Sequence, residues 1–305
     1  MLIDTHCHLD WDSYEGELDG VLQRARDAGV QGFVTIGTDR ERNEKAKVIA
    51  AKYGDVYRCV GYHPDVVVLP DFNEEIMREW LGVMEVDVQS EKVVGVGEIG
   101  LDYYALEGLG AEERSVKVEL QKELLERQII LAKREGVPVS LHVRDNSESA
   151  YWDVMEVLRE HFDDGNDVFV AEFAYAELVD QFEHSGIGAR MKNVQQKKLN
   201  GVLHCVSGPL EYLQEAVSMG FCVGVCGNVT FKNAELLREN LKRLPLEMMV
   251  LETDAPFLSP EPYRGKRNEP AYMQKTAEKL AEIKGITVDE VCRITTENAQ
   301  RLWGI

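Results

Sequence analysis

Six side chains able to bind a metal stand one by one at the ends of short apolar runs. They are His6 and His8 in LIDTHCHLD, Glu98 in VVGVGEIG, His142 in VPVSLHVRD, His204 in GVLHCVSG and Asp254 in MMVLETDAP. Residues i and i+2 of an extended segment share a face, so the imidazoles of His6 and His8 converge. A carboxylate buried after an apolar run, as Glu98 would be, is costly unless cations relieve it, and its two oxygens can bridge two of them. Asp254 can ligate a metal and also take a proton from a water molecule. Each residue has a plainer reading: a satisfied core histidine, a carboxylate paired with arginine, or an N-cap aspartate. Six of them at equivalent positions favour a divalent-metal site. Four imidazoles with two carboxylates suit zinc, manganese, nickel or iron better than an all-oxygen magnesium cage.

The elements that must position these groups alternate along the chain. Strand-like runs are Leu2–Thr5, Gly32–Ile36, Tyr57–Gly61, Val93–Gly97, Pro138–Leu141, Gly201–Leu203, Phe221–Val225 and Met249–Glu252. Between them lie amphipathic stretches at Leu18–Ala28, Arg42–Tyr53, Val118–Glu135, Tyr151–Phe162, Leu210–Met219 and Ala234–Leu241, then Tyr272–Lys284 and Val288–Arg301. Alternation of this kind predicts parallel βα units. Residues gathered at the ends of many strands predict an α/β fold, a single (β/α)8 TIM barrel over 1–305. The stretch from His142 to His204 is longer than one helix and its turns require. The excess, 163–198, predicts a helical insertion between strands 5 and 6. Because it follows a helix, its root should lie away from the catalytic face, as a peripheral excursion rather than a lid.

Bulk properties exclude other classes. The chain has 305 residues, a formal net charge of -20 and 44% hydrophobic residues. Non-specific adhesion to nucleic acid is a poor fit to such acidity, although bound metals can reverse the sign locally. No transmembrane-length apolar run or signal peptide is evident, and none of the six cysteines has CxxC spacing, so a reduced cytoplasmic protein is expected. Cys7 and Cys205, which flank proposed ligands, read as packing residues.

DTHCHLD, GYHP, GEIGLDYY, LHVRD, GVLHCVSG, GNVTFKN, LETDAPFLSP, RGKRNEP and TTENAQRLWG together resemble the TatD family of metal-dependent deoxyribonucleases, a branch of the amidohydrolase-like barrels. The match runs in order from Ile3 to Gly304. Val206 and Tyr62 depart from the residues usual in the family and could alter the pocket wall. The resemblance implies two divalent ions, commonly magnesium or manganese. His6, His8, Glu98 and Asp254 would hold one, and Glu98, His142 and His204 the other. It also links His63 to the active centre or to substrate phosphate, whereas the plainer role for His63 is a turn before Pro64. The implied substrate is DNA, cut exonucleolytically on single strands. His161 and His184 match no motif and read as surface residues.

Two metals can activate a water and stabilise charge on a phosphoryl group. Arg144 would clamp phosphate near the barrel mouth, and Arg264, Lys266 and Arg267 follow strand 8, a usual phosphate quarter of such barrels. Asn228 could donate to a substrate oxygen or form a turn with Gly227. The competing enzyme class is hydrolysis of an ester or amide, such as an aminoacyl ester or lactone. Glu98, standing where related amidohydrolases often carry a carboxylated lysine, tilts against the amide. A scaffold that merely retained the barrel would be expected to lack ligands, and none is missing.

Overall fold

β-branched and apolar runs form eight parallel strands, each paired with the next in sequence order. The computed structural model describes residues 1–162 and 199–305. The expected insertion, 163–198, lies outside those residues, as does His184. The strands are β1 (Leu2–Cys7), β2 (Val30–Ile36), β3 (Val56–Val60), β4 (Val93–Asp102), β5 (Val139–Arg144), β6 (Gly201–Leu203), β7 (Phe221–Val225) and β8 (Met249–Leu251). Among the described residues the α-helices are α1 (Leu18–Asp27), α2 (Arg40–Lys52), α3 (Glu74–Asp87), α4 (Ala111–Glu135), α5 (Ser149–Phe162), α6 (Leu210–Ser218), α7 (Glu235–Arg243), α8 (Met273–Lys284) and α9 (Val288–Trp303). The result is a nearly closed (β/α)8 barrel. No described helix is long and apolar enough to cross a membrane.

Local chemistry explains the boundaries. Asn73 caps α3 by accepting from the backbone N–H groups of Glu75 and Ile76, and Thr287 and Glu290 form a reciprocal capping box at α9. Helix α4 ends on Gly136 at φ +69°, a left-handed cap that glycine adopts without steric cost.

The observed strand β4 runs five residues beyond the expected end at Gly97, which places Glu98 within it. Close packing at glycines allows this. A Cβ on Gly97 would stand 2.6 Å from the Ser140 Cβ, and one on Gly100 would stand 1.8 Å from the His142 carbonyl oxygen. Helix α3 was not among the expected elements, and α4 begins seven residues before Val118.

The barrel closes between β1 and β8 by individual bonds. The Asp254 N–H donates to the His6 carbonyl at 2.9 Å, and the His8 N–H donates to the Ala255 carbonyl at 2.7 Å. The Thr5 hydroxyl donates to the Leu251 carbonyl at 3.0 Å. Buried Asp4 accepts from the Thr253 N–H at 3.0 Å and from its hydroxyl at 2.6 Å. These bonds fix the register of His6 and His8 against Asp254. Thr253→Val leaves Asp4 with a lost donor in a buried site and should destabilise the protein by about 1–3 kcal/mol. Thermal unfolding reads this directly, and an unchanged melting temperature would mean that the seam is held by other contacts.

Candidate metal centre

At the strand ends the six expected residues converge. Buried Glu98 presents one oxygen to each of two groups of imidazoles. Its Oε2 lies 3.5 Å from His6 Nε2 and 3.7 Å from His8 Nε2. Its Oε1 lies 2.8 Å from His142 Nδ1, 3.7 Å from His63 Nε2 and 3.8 Å from His204 Nε2. Asp254 Oδ1 lies 3.3 Å from His8 Nε2, 3.6 Å from His204 Nε2 and 3.9 Å from His6 Nε2.

The far side of each ring is anchored. His6 Nδ1 meets the Ser140 hydroxyl at 3.2 Å, and His8 Nδ1 meets the Ile36 carbonyl at 3.2 Å. His204 Nδ1 lies 2.9 Å from Glu252 Oε1. Such partners orient ligand imidazoles and raise their basicity. Three Nε2 atoms therefore face one another and the carboxylates. His6 and His8 Nε2 are only 3.3 Å apart, and the His6 and His204 rings stack with centroids at 3.4 Å. Nitrogen lone pairs brought together in this way, beside carboxylate oxygens, suit a divalent cation.

Charge is tightly balanced here. Burial opposes the charge on Glu98, but His63, His142 and His204 outweigh it and hold the carboxyl well below its ordinary range. Asp254 is likewise depressed, chiefly by His8 against the cost of burial. Burial and the stacked His204 push His6 down to about 4, so its ring is neutral. For His8 burial is outweighed by Asp254, and for His142 by Asp102 and Glu98; each is raised to about 9.

The other expected residues separate into two groups. His63 faces the site while also capping the turn Pro64–Val68: its Nδ1 accepts from the Asp65 N–H at 3.2 Å and lies 2.7 Å from Asp65 Oδ1. Arg144 and Asn228 line the same cleft of about 670 Å³. Arg144 is exposed and lies 3.9 Å over the Tyr104 ring, whereas Asn228 sits in the turn Gly227–Thr230 with its amide donating to Cys205 Sγ at 3.5 Å.

Arg264, Lys266 and Arg267 do not line that cleft. Arg267 is held by Glu17 at 2.8 Å, Glu269 at 3.2 Å and the Ser13 carbonyl; Arg264 lies over Phe231. Tyr62 and Val206 are buried outside the cleft wall, with the Tyr62 hydroxyl donating to the Trp80 carbonyl at 2.9 Å. Cys205 lines the cleft as well as packing there. His161 is partly buried and 3.5 Å from Glu126, not a free surface residue.

Sequence reasoning passed over two carboxylates. Glu252 accepts from the Cys205 N–H at 2.5 Å as well as facing His204. Asp102 Oδ2 lies 3.3 Å from His142 Nε2. For Asp102 the signal was spacing, four residues from Glu98 on the same strand, whereas Glu252 lies just past β8 and only the fold brings it to His204.

A parallel barrel with imidazoles and carboxylates gathered at its strand ends defines a metal-dependent hydrolase. The profile of the TatD related DNase family matches residues 3–304, and the chain belongs to that family. It is 35% identical over 305 residues to the Bacillus subtilis protein named uncharacterized metal-dependent hydrolase YabD, covering 100% of both chains. It is 30% identical to mouse TATDN3, whose name puts it forward as a deoxyribonuclease, over 99% of this chain and 88% of that one. The crystal structure of YjjV, a TatD homologue from Escherichia coli, superposes with a TM-score of 0.75 at 27% identity, covering 100% of this chain and 98% of that one.

A cation entering this site competes with the protons held by His8 and His142. Both are raised from 6.5 to about 9, so those protons leave only as pH rises toward that value and metal affinity rises with them. The increase in melting temperature on adding manganese should therefore be larger near pH 8.5 than near pH 6, since tighter binding to the native state stabilises it more (~1.4 kcal/mol per tenfold in affinity). Paired melts with and without metal check this; a shift independent of pH would contradict it.

Proposed function

We propose that the chain is a two-metal phosphodiesterase that trims single-stranded DNA from an end. The observation that carries the reading is the division of Glu98, with Oε2 toward His6 and His8 and Oε1 toward His142 and His204. His6, His8, Glu98 and Asp254 would hold one ion, and Glu98, His142 and His204 the other. When bound, the metals would make water nucleophilic near neutral pH and offset charge on the phosphoryl group.

The chain's own groups do the rest. Asp254 is kept charged by its imidazoles yet its side chain remains 13% exposed to the cleft, so its carboxylate can accept the proton of the attacking water. Asp65 fixes the His63 ring, leaving Nε2 on the cleft side to donate to a phosphoryl or leaving oxygen. Arg144 supplies the cation for a neighbouring phosphate.

DNA is favoured by the family's description and the name of the mouse relative. A cleft of about 670 Å³ is of small-ligand size, which suits a chain end better than a duplex. Six free thiols fit a reducing cytoplasm.

The test is a substrate panel of single-stranded DNA, RNA, a phosphodiester chromogen and a carboxylic ester, each with and without chelator. Loss of metal-dependent DNA hydrolysis on chelation is expected. Turnover of the ester alone would overturn the reading. Asp254→Asn should lower kcat by about 10²–10⁴-fold with the fold intact. Near-normal turnover in that variant at full metal loading would remove Asp254 as the base. Arg144→Ala should raise KM for DNA more at low than at high salt, whereas Lys266→Ala should change it little; the reverse ranking would return phosphate binding to the basic loop after β8.

A further inference from the structure

Among the described phenylalanines Phe257 alone is exposed, at 40% of its surface, and it stands in the wall of the cleft. Its ring meets Trp11 edge to face, with centroids 5.0 Å apart at 76°. His8 lies against both rings, at 6.1 Å from Trp11 and 5.9 Å from Phe257. An aromatic pair is therefore built directly onto one of the candidate ligands.

The pair is held rigidly. The Phe257 N–H donates to the Asp254 carbonyl at 2.8 Å, and its own carbonyl accepts from Asn268 Nδ2 at 2.6 Å. The next residue, Leu258, has φ +51°, a conformation that costs a non-glycine residue energy and persists only where surroundings impose it. Its carbonyl packs so closely on Gly227 that a Cβ there would stand 2.3 Å away. Across the cleft wall, the Arg42 guanidinium lies 4.3 Å over the Trp11 ring and is itself tied to Asp12 at 3.0 Å.

Charge gives this aromatic surface a purpose. Among the described residues lining the cleft Arg144 is the one lysine or arginine, whereas Asp65, Glu98, Asp102 and Asp254 all face it. In a chain of net charge -20, the described lysines and arginines of the cleft offer phosphate only Arg144. A nucleic acid offers a second handle, the π-face of its bases, and stacking on aromatic side chains is insensitive to base identity. It also demands an unstacked base, available in single strands and frayed ends.

We propose that Trp11 and Phe257 form a stacking subsite for the nucleobase beside the phosphodiester held over the histidine–carboxylate cluster. The subsite rests on the nuclease reading and goes beyond it by assigning binding energy to the base rather than to the backbone.

A double cycle tests it with metal-loaded wild type and Phe257→Ala, each assayed on a thymidine oligonucleotide and on the same oligonucleotide abasic at its terminal residue. Removing the ring should raise KM on the thymidine substrate about five- to 150-fold. Removing the base should cost the wild type a similar factor, and the two losses together should cost little more than either. Phe257→Leu, which keeps apolar bulk without a π-face, should behave like the alanine variant. Binding of a hydrolysis-resistant phosphorothioate oligonucleotide, followed by tryptophan fluorescence, should weaken in the same order. Multiplicative losses, or a leucine variant equal to wild type, would overturn the subsite. Wild type that hydrolyses no DNA at all would instead overturn the nuclease reading beneath it.

Discussion

A carboxylate removed from water must be surrounded by compensating charge, and the whole centre follows from how this is done at Glu98. Burial alone would neutralise it. The imidazoles around it keep it charged, and they do so from two sides because the carboxylate has two oxygens. Asp254 repeats the arrangement against His8, His204 and His6. In the metal-free protein, protons on His8 and His142 supply part of the positive charge that a cation supplies when bound. Metal binding is thus an exchange of charge within a ready-made cage.

The barrel is arranged to hold that exchange in place. Glycines on β4 let the strand run past Glu98 in close contact with β5, so His142 and Glu98 meet across adjacent strands. The seam between β1 and β8 relies on Asp4, Thr5 and Thr253 in addition to backbone bonds, and these flank His6 and Asp254. Behind the ligands, Ser140, Ile36 and Glu252 anchor the opposite ring nitrogens. Strands β4 and β5 and the segment after β8 each contribute both a candidate ligand and a group that aims one.

Much of this was legible in the sequence because it is periodic. The His6–His8 spacing and the apolar runs before Glu98, His142 and His204 report strand positions, and the alternation of runs reports the barrel. What escaped notice depends on tertiary contact. Gly97 reads as the end of a strand, yet Gly97 and Gly100 are positions at which the strand approaches its neighbour closely. Glu252 looks like the last residue of a strand until His204 is seen beside it. Arg267 is tied to Glu17, far away in the chain, as well as to nearby Glu269, and the Tyr62 hydroxyl is turned to the Trp80 carbonyl rather than to the pocket; neither contact shows in local sequence.

The central claim is that Glu98 serves two cations, one at each oxygen. Crystals equilibrated with manganese and measured near its absorption edge would locate every bound ion directly by anomalous scattering. The account predicts two peaks in the cleft: one between Glu98 Oε2 and the His6, His8 and Asp254 side chains, the other between Glu98 Oε1 and the His142 and His204 rings. A single peak, or a pair that leaves Glu98 uncoordinated, would contradict it.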